Sequence, residues 1–349
     1  MVVSLARPLL RLTARRPHVL TIAPAPTSDD LLAVRLAAEI ELARRGWPTA
    51  DSPADADLVR VAGEVGPRMA RVVRAVWATV PAPRGLVSVD SVGELPEALD
   101  AAVAWLARDG ADASVASDGP SLTPDVRTAS SSHVAPAMAD LADADRDGLA
   151  LDALHVALGP VLPHWPAGLV VHATLAGDLV TDARAEVLDV PGPREPTGPR
   201  RRTPRGPDHL RLDALVRVLG LAGADRAAAR ARTLRDGVPV PGELPAFGRR
   251  LARSRTLAWT LRGIPLSATD HVPVPEPTVE ARVRALAAGL GGSLAPPVRP
   301  APHRAAAALV GLELGAARLA LAAMDPDTGL GAGPVDAHRP AAAHHEHHG

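Results

Sequence analysis

The run His344-His345-Glu346-His347-His348 puts four imidazoles and a carboxylate in consecutive positions at the C-terminal end. Neutral imidazole is a good ligand for Ni and Zn, and a flexible tail folds around an ion without a preformed pocket. The run therefore predicts a Ni or Zn site at His344, His345, His347 and His348, with a low-complexity terminus as the alternative. Elsewhere the chemistry thins out. Asp143-Ala144-Asp145-Arg146-Asp147-Gly148 copies the first half of a calcium loop, but its twelfth position is Leu154, where a bidentate Glu would complete the shell. His155, His164 and His172 have no ligand spacing, so satisfied or exposed histidines are expected. Ser131, Ser132 and His133 lack a nucleophile elbow, and Gly289-Leu290-Gly291-Gly292 follows a helix, as a helix stop does.

Composition removes further classes. The 349 residues contain no Cys, Tyr, Lys, Asn or Gln, and Arg supplies all 38 cations. Disulfides, thiolate nucleophiles, cysteinyl metal clusters, Walker lysines and Schiff bases are excluded. Residues 101 to 190 carry net −9 and residues 191 to 262 net +10, so the chain is dipolar despite an overall charge of −1. The basic part begins in a Pro-rich stretch holding Arg200, Arg201 and Arg202 and continues onto helices. Without aromatic interleaving it points to an acidic protein partner or a solvated face, with no nucleic acid expected. A helix-turn-helix over 208 to 236 is the competing reading of those helices, equally explained by packing. The longest apolar stretch, Ala305 to Met324, contains Glu313 and Arg318, which predicts a packed helix instead of a membrane span. The N-terminus has Arg spread throughout and no uninterrupted apolar region, so no cleaved signal and a cytoplasmic location are expected.

The elements that must position any site follow from periodicity. Short Val- and Leu-rich runs at 18–23, 57–62 and 85–89 alternate with amphipathic helices at 29–45, 66–79 and 94–108, which predicts a small doubly wound parallel α/β sheet of flavodoxin-like type. Residues 109–147, rich in Ala, Ser, Asp and Pro, read as a linker. Strands at 154–158, 168–175 and 179–188 follow, the last two joined as a tight hairpin through Gly177-Asp178. Helices are expected at 208–221, 224–236, 243–262, 276–290 and 303–324, completing an α+β domain. The organisation is thus an N-terminal arm (1–17), an α/β domain (18–108), the acidic linker (109–147), a hairpin-plus-helix domain (148–324) and a disordered His-rich tail (325–349).

The segment Ala56 to Ala70, with Gly63, Arg68 and Met69, leads through Trp77 to Val80-Pro81-Ala82-Pro83-Arg84 and Leu86-Val87-Ser88-Val89. It resembles the cluster-bearing small subunit of NADH-quinone oxidoreductase (complex I) and of related [NiFe] hydrogenases, over roughly residues 18 to 108. The resemblance implies docking on a large subunit near a membrane arm, with Arg68, Met69 and Arg84 as contact residues and Arg200, Arg201 and Arg202 adding an electrostatic contact. It also implies an iron–sulfur cluster, and here the chain departs from the family. Val92 stands at a cluster-ligand position, and the paired Cys expected after the first strand are replaced within Pro24 to Ser28. Further on, Gly159-Pro160-Val161-Leu162-Pro163 and Gly168 to Val180 resemble the hairpin that opens the large, quinone-site subunit, with Leu162 at the motif's His position. The expectation is a cluster-less, non-catalytic structural or assembly subunit of a complex-I-like or hydrogenase-like membrane-associated oxidoreductase. It would hold no resident cofactor and associate peripherally with the membrane through its partner subunits. The competing readings are a Ni/Zn maturation factor using the His-rich tail and a quinone-binding subunit.

Overall fold

The computed structural model describes residues 16–26, 29–63, 65–107, 113–116, 140–144, 150–189, 206–266, 276–292 and 298–329. Its first unit is a parallel sheet of four strands, β1 (Val19–Ile22), β2 (Leu58–Ala62), β3 (Gly85–Val89) and β4 (Ala113–Ala116), in the order β1-β2-β3-β4. β-branched and Leu residues fill β1 to β3, as strands covered on both faces require. Thr49 bridges in parallel to Val19, so a residue of the segment after the first helix lies along the other edge of β1. Helices α1 (Asp29–Arg45) and α3 (Leu95–Leu106) cover the face that carries Val19, Leu58, Val87 and Val89. α2 (Pro67–Thr79) covers the opposite face, burying Met69, Val73 and Trp77 at four-residue spacing against Leu20, Ile22, Val59 and Val61.

The second unit is an antiparallel sheet of β5 (Asp140–Ala144), β6 (Ala150–Leu158), β7 (Leu169–Ala176) and β8 (Leu179–Val187), in that order, packed on helices. The helices are α4 (Pro207–Leu221), α5 (Asp225–Asp236), α6 (Glu243–Ala252), α7 (Arg255–Thr260), α8 (Val279–Ala288), α9 (Pro302–Ala307) and α10 (Leu314–Met324). The hairpin at Gly177-Asp178 joins β7 to β8 at the expected place. The outer edge of β8 is covered at one end, where Gly311 N donates to Val180 O (2.8 Å) and Val180 N to Leu312 O (2.9 Å).

Three expectations are corrected. The presumed linker 109–147 contributes β4 and β5, whose Ala-, Ser- and Asp-rich sequences carry little strand signal. The helix expected over 243–262 is two, because Ser254 leaves the helical conformation and accepts a hydrogen bond from Leu257 N as the N-cap of α7. The helix expected over 303–324 is likewise split into α9 and α10, with Gly311 between them at φ +86°.

Two contacts lock the units together. In β7 the alternation of a strand sends Leu169 and Val171 into the helical core, whereas Val170 enters the α2 side of the parallel sheet, beside Leu188. Asp189, just beyond β8, reaches the N-terminus of α2: Oδ1 accepts from Arg68 N (3.1 Å) and Oδ2 from Met69 N (2.6 Å). A carboxylate there satisfies donors that have no intrahelical partner and complements the helix dipole. Asp189 takes a left-handed backbone conformation (φ +54°), which a short polar side chain tolerates. The Asp189→Ala substitution is expected to lower stability by about 0.5 to 2 kcal/mol, the usual worth of an N-cap, and Asp189→Asn to retain part of it. Urea unfolding checks this, and an Ala variant as stable as the parent would show that the cap contributes nothing.

Candidate functional site

A cavity of about 460 Å³ opens between the two units. One wall is β1, α1 and the segment from Trp47 to Asp51; the other is the loop Pro160–Ala167 with α4 and α5. Just ahead of β7, this 160s loop is anchored by Trp165, whose indole N–H donates to Leu169 O at 2.8 Å. His164, one residue earlier, is held at φ +59°, an uncommon conformation for any residue with a Cβ. Its imidazole lies against bare helix at Gly220 of α4, where a Cβ would come within 2.3 Å of the ring. Glycine at 220 is what lets the ring reach the helix.

The floor is a network of buried charges that crosses the unit boundary. Arg35 of α1 bonds Glu39 one turn on (2.8 Å) and Asp213 of α4 (2.8 Å). Arg235 of α5, its side chain fully buried, bonds Glu39 (2.6 Å), Asp213 (2.6 Å) and Asp236 (2.7 Å). Arg217 pairs with Asp213 and with Asp325, and Arg299 reaches the same Asp325 at 3.2 Å. Burial pushes the Glu39 and Asp213 carboxyls up, but Arg35 and Arg235 reverse this for both, with Arg217 adding to the effect at Asp213. Both carboxyls end below their ordinary range, Asp213 well below it. Burial likewise opposes the Arg217 charge, and Asp325 and Asp213 more than restore it.

Two further groups are set by desolvation. Burial lowers the His164 pKa from its ordinary value, helped by Arg232, Arg217 and Arg318 and opposed by Asp51. Behind the β1 wall, Arg60 of β2 is completely buried with one partner, Thr21 Oγ1 at 2.8 Å; its Nε and Nη1 have none. Burial lowers its pKa to about 10, with Glu39 opposing and Arg35 reinforcing the effect.

The sequence-predicted residues fall elsewhere. Met69 is fully buried in the core against the sheet, so it is not a surface contact for a partner. Arg84 clamps the end of α2, donating to Trp77 O and Val80 O (2.8 Å) while its guanidinium lies 4.6 Å over the Trp77 ring. Arg68 is half exposed and ion-paired with Glu186. Val92 is exposed. Arg200, Arg201, Arg202 and the run His344, His345, His347 and His348 lie outside the described residues. His155 is exposed with Nδ1 3.0 Å from Thr174 Oγ1, and His172 is exposed with Nε2 3.3 Å from Glu186, so only His164 of the three faces the cavity.

Sequence reading missed the arginine network because it placed the +10 segment on a solvated face. The available signal was Asp213, a carboxylate set inside the apolar stripe Leu212, Leu215, Val216 and Leu219 of α4. The cluster implied by the family resemblance does not fit the residues present. Pro24 and Ala25, where its ligands would begin, are packed against the second unit: Gly168 N donates to Ala23 O (3.1 Å), and a Cβ on Gly168 would meet Ala25 at 2.5 Å. Gly168 also takes φ +70°, so only glycine suits that approach. Among the described residues no group of three or more His, Asp or Glu is arranged to hold a metal ion, and no helix is long and apolar enough to cross a membrane. No protein-family model, curated protein or solved structure matches the chain.

Truncating Arg235→Ala strands Glu39 and Asp213 with fewer cations in a buried setting. It is expected to cost about 3 to 5 kcal/mol, against less than about 1 kcal/mol for Arg44→Ala at an exposed pair with Glu41. Equal losses in denaturant unfolding would show that the buried network adds nothing. The His164 shift has a signed consequence. A folded pKa below the unfolded value means the unfolded chain binds more protons, so stability is full above about pH 6.5 and falls as the pH drops through it. Urea midpoints are expected to fall between about pH 7.5 and about pH 5.5, and less steeply in His164→Asn; identical slopes would exclude His164 as the titrating group.

Proposed function

We propose that this chain is a cluster-less structural or assembly subunit of a complex-I-like or hydrogenase-like membrane-associated oxidoreductase. It would sit in the cytoplasm and reach the membrane through its partner subunits. The observation that carries the reading is the seal between the loop after β1 and the hairpin of the second unit. The two regions that carry the resemblance to the small and large subunits pack on each other, and Ala23–Ala25 lies directly on Gly168 there. Direct packing of backbone and methyl groups at that junction supports the cluster-less reading. In this reading the parallel sheet is flavodoxin-like, with the Thr49 bridge standing for a shortened second strand on the far side of β1. Electron transfer is then not the task, and docking is.

The alternative of a Ni/Zn maturation factor rests on the tail histidines alone. The alternative of a quinone-binding subunit finds no support in the cavity's floor, where the arginines are paired with carboxylates and offer a neutral ring no apolar slot.

Affinity purification of the full chain from gently solubilised native membranes is expected to recover antiporter-like or hydrogenase-like subunits in fixed ratio, with no stoichiometric iron or acid-labile sulfide on this chain. A monomer recovered alone from the soluble fraction would overturn the subunit reading. Stoichiometric iron and sulfide would overturn the cluster-less one.

A further inference from the structure

The cavity between the units has a chemistry independent of any partner subunit. Most of its charge is neutralised internally, since Glu39 and Asp213 are each held by at least two arginines and Arg217 by two carboxylates. Around His164 that balance fails. Arg232 lines the cavity half-buried and has no hydrogen-bond or ion-pair partner among the described residues. The acid on this side, Asp51, is exposed. A guanidinium held partly out of water without a counter-ion is costly unless something fills its donors. His164 adds a second sign of a built site, because its backbone is held in a sparsely populated region by packing at Gly220. Trp47, Pro48 and Val161 supply apolar surface in the same cavity, whose volume is within the range of small-molecule sites.

We propose that this cavity binds a small organic anion, with its carboxylate or phosphate head group held by Arg232 and His164 and its carbon skeleton against Trp47 and Val161. The guanidinium fork matches either oxyanion bidentately, and a neutral imidazole donates one further N–H. Binding to the folded chain alone raises its melting temperature by an amount that grows with the logarithm of ligand concentration above Kd.

The experiment is thermal unfolding of the full chain with glycerol 3-phosphate, with butyrate, and with potassium chloride at matched ionic strength. At least one of the two organic anions is expected to give a rise that sets in near its Kd and continues logarithmically, and that chloride does not. The stronger of the two identifies the head group as phosphate or carboxylate. In Arg232→Gln the apparent affinity is expected to fall roughly ten-fold or more, while Arg230→Gln, on the same helix but paired with Glu243, leaves it unchanged. Absence of a rise beyond that of chloride with either anion, or full affinity in Arg232→Gln, overturns the proposal. Should Arg232→Gln fail to fold, the parent's His164 ring resonances decide: a shift that saturates with the Kd fitted from thermal unfolding supports the site, and unmoved resonances overturn it.

Discussion

The first three residues of strand β7 are buried on both faces of the strand, and the rest of the molecule is arranged around that constraint. A strand alternates its side chains, so a single stretch, Leu169-Val170-Val171, serves the helical core with its outer members and the parallel sheet's core with its middle one. Sliding the register by one residue would exchange those assignments and disrupt both cores. The 160s loop leads into this stretch, Gly168 carries the Ala25 contact immediately before it, and the Asp189 cap closes the strand that pairs with it. Where β7 goes, the walls of the cavity follow.

The cavity combines a rigid polar floor with a less balanced end. Arg35, Glu39, Asp213 and Arg235 form a closed set in which each charge has a partner from another element. Such sets add less stability than their number suggests, because desolvation opposes them, but they specify geometry: neither α1 nor α5 can shift without stranding a charge. His164 and Arg232 line the same cavity outside that set, and Arg232 has no partner among the described residues. A fixed scaffold with a few unmatched donors is the arrangement from which recognition sites are built.

Much of the local structure was legible in the sequence. The bounds of α1 coincide with the expectation because its apolar spacing and the Gly46 stop are local signals. The hairpin turn at Gly177-Asp178 is local in the same way. What escaped was non-local or weakly coded. β4 reads ASVA, and only pairing with β3 makes it a strand. Ser254 and Gly311 split two apolar runs whose periodicity alone implies single helices. The charged floor joins residues as far apart as Arg35 and Asp213, or Glu39 and Arg235, and no window along the sequence brings them together. Arg217 and Arg235 therefore read as surface charge, and of the site only His164 was noticed, as one histidine of three.

The Asp189 cap gives the chain a direction in time. Its carboxylate lies 120 residues downstream of the Met69 amide it accepts from, so during synthesis at about 5 to 20 residues per second the α/β unit emerges on the order of ten seconds before its cap. Through that interval the start of α2 has only water for its free amides, and the part of the α2-covered core that Val170 and Leu188 will close is still open. A nascent N-terminal half is thus complete in sequence but unfinished in surface, and the ribosome must release the hairpin before either half reaches its final form.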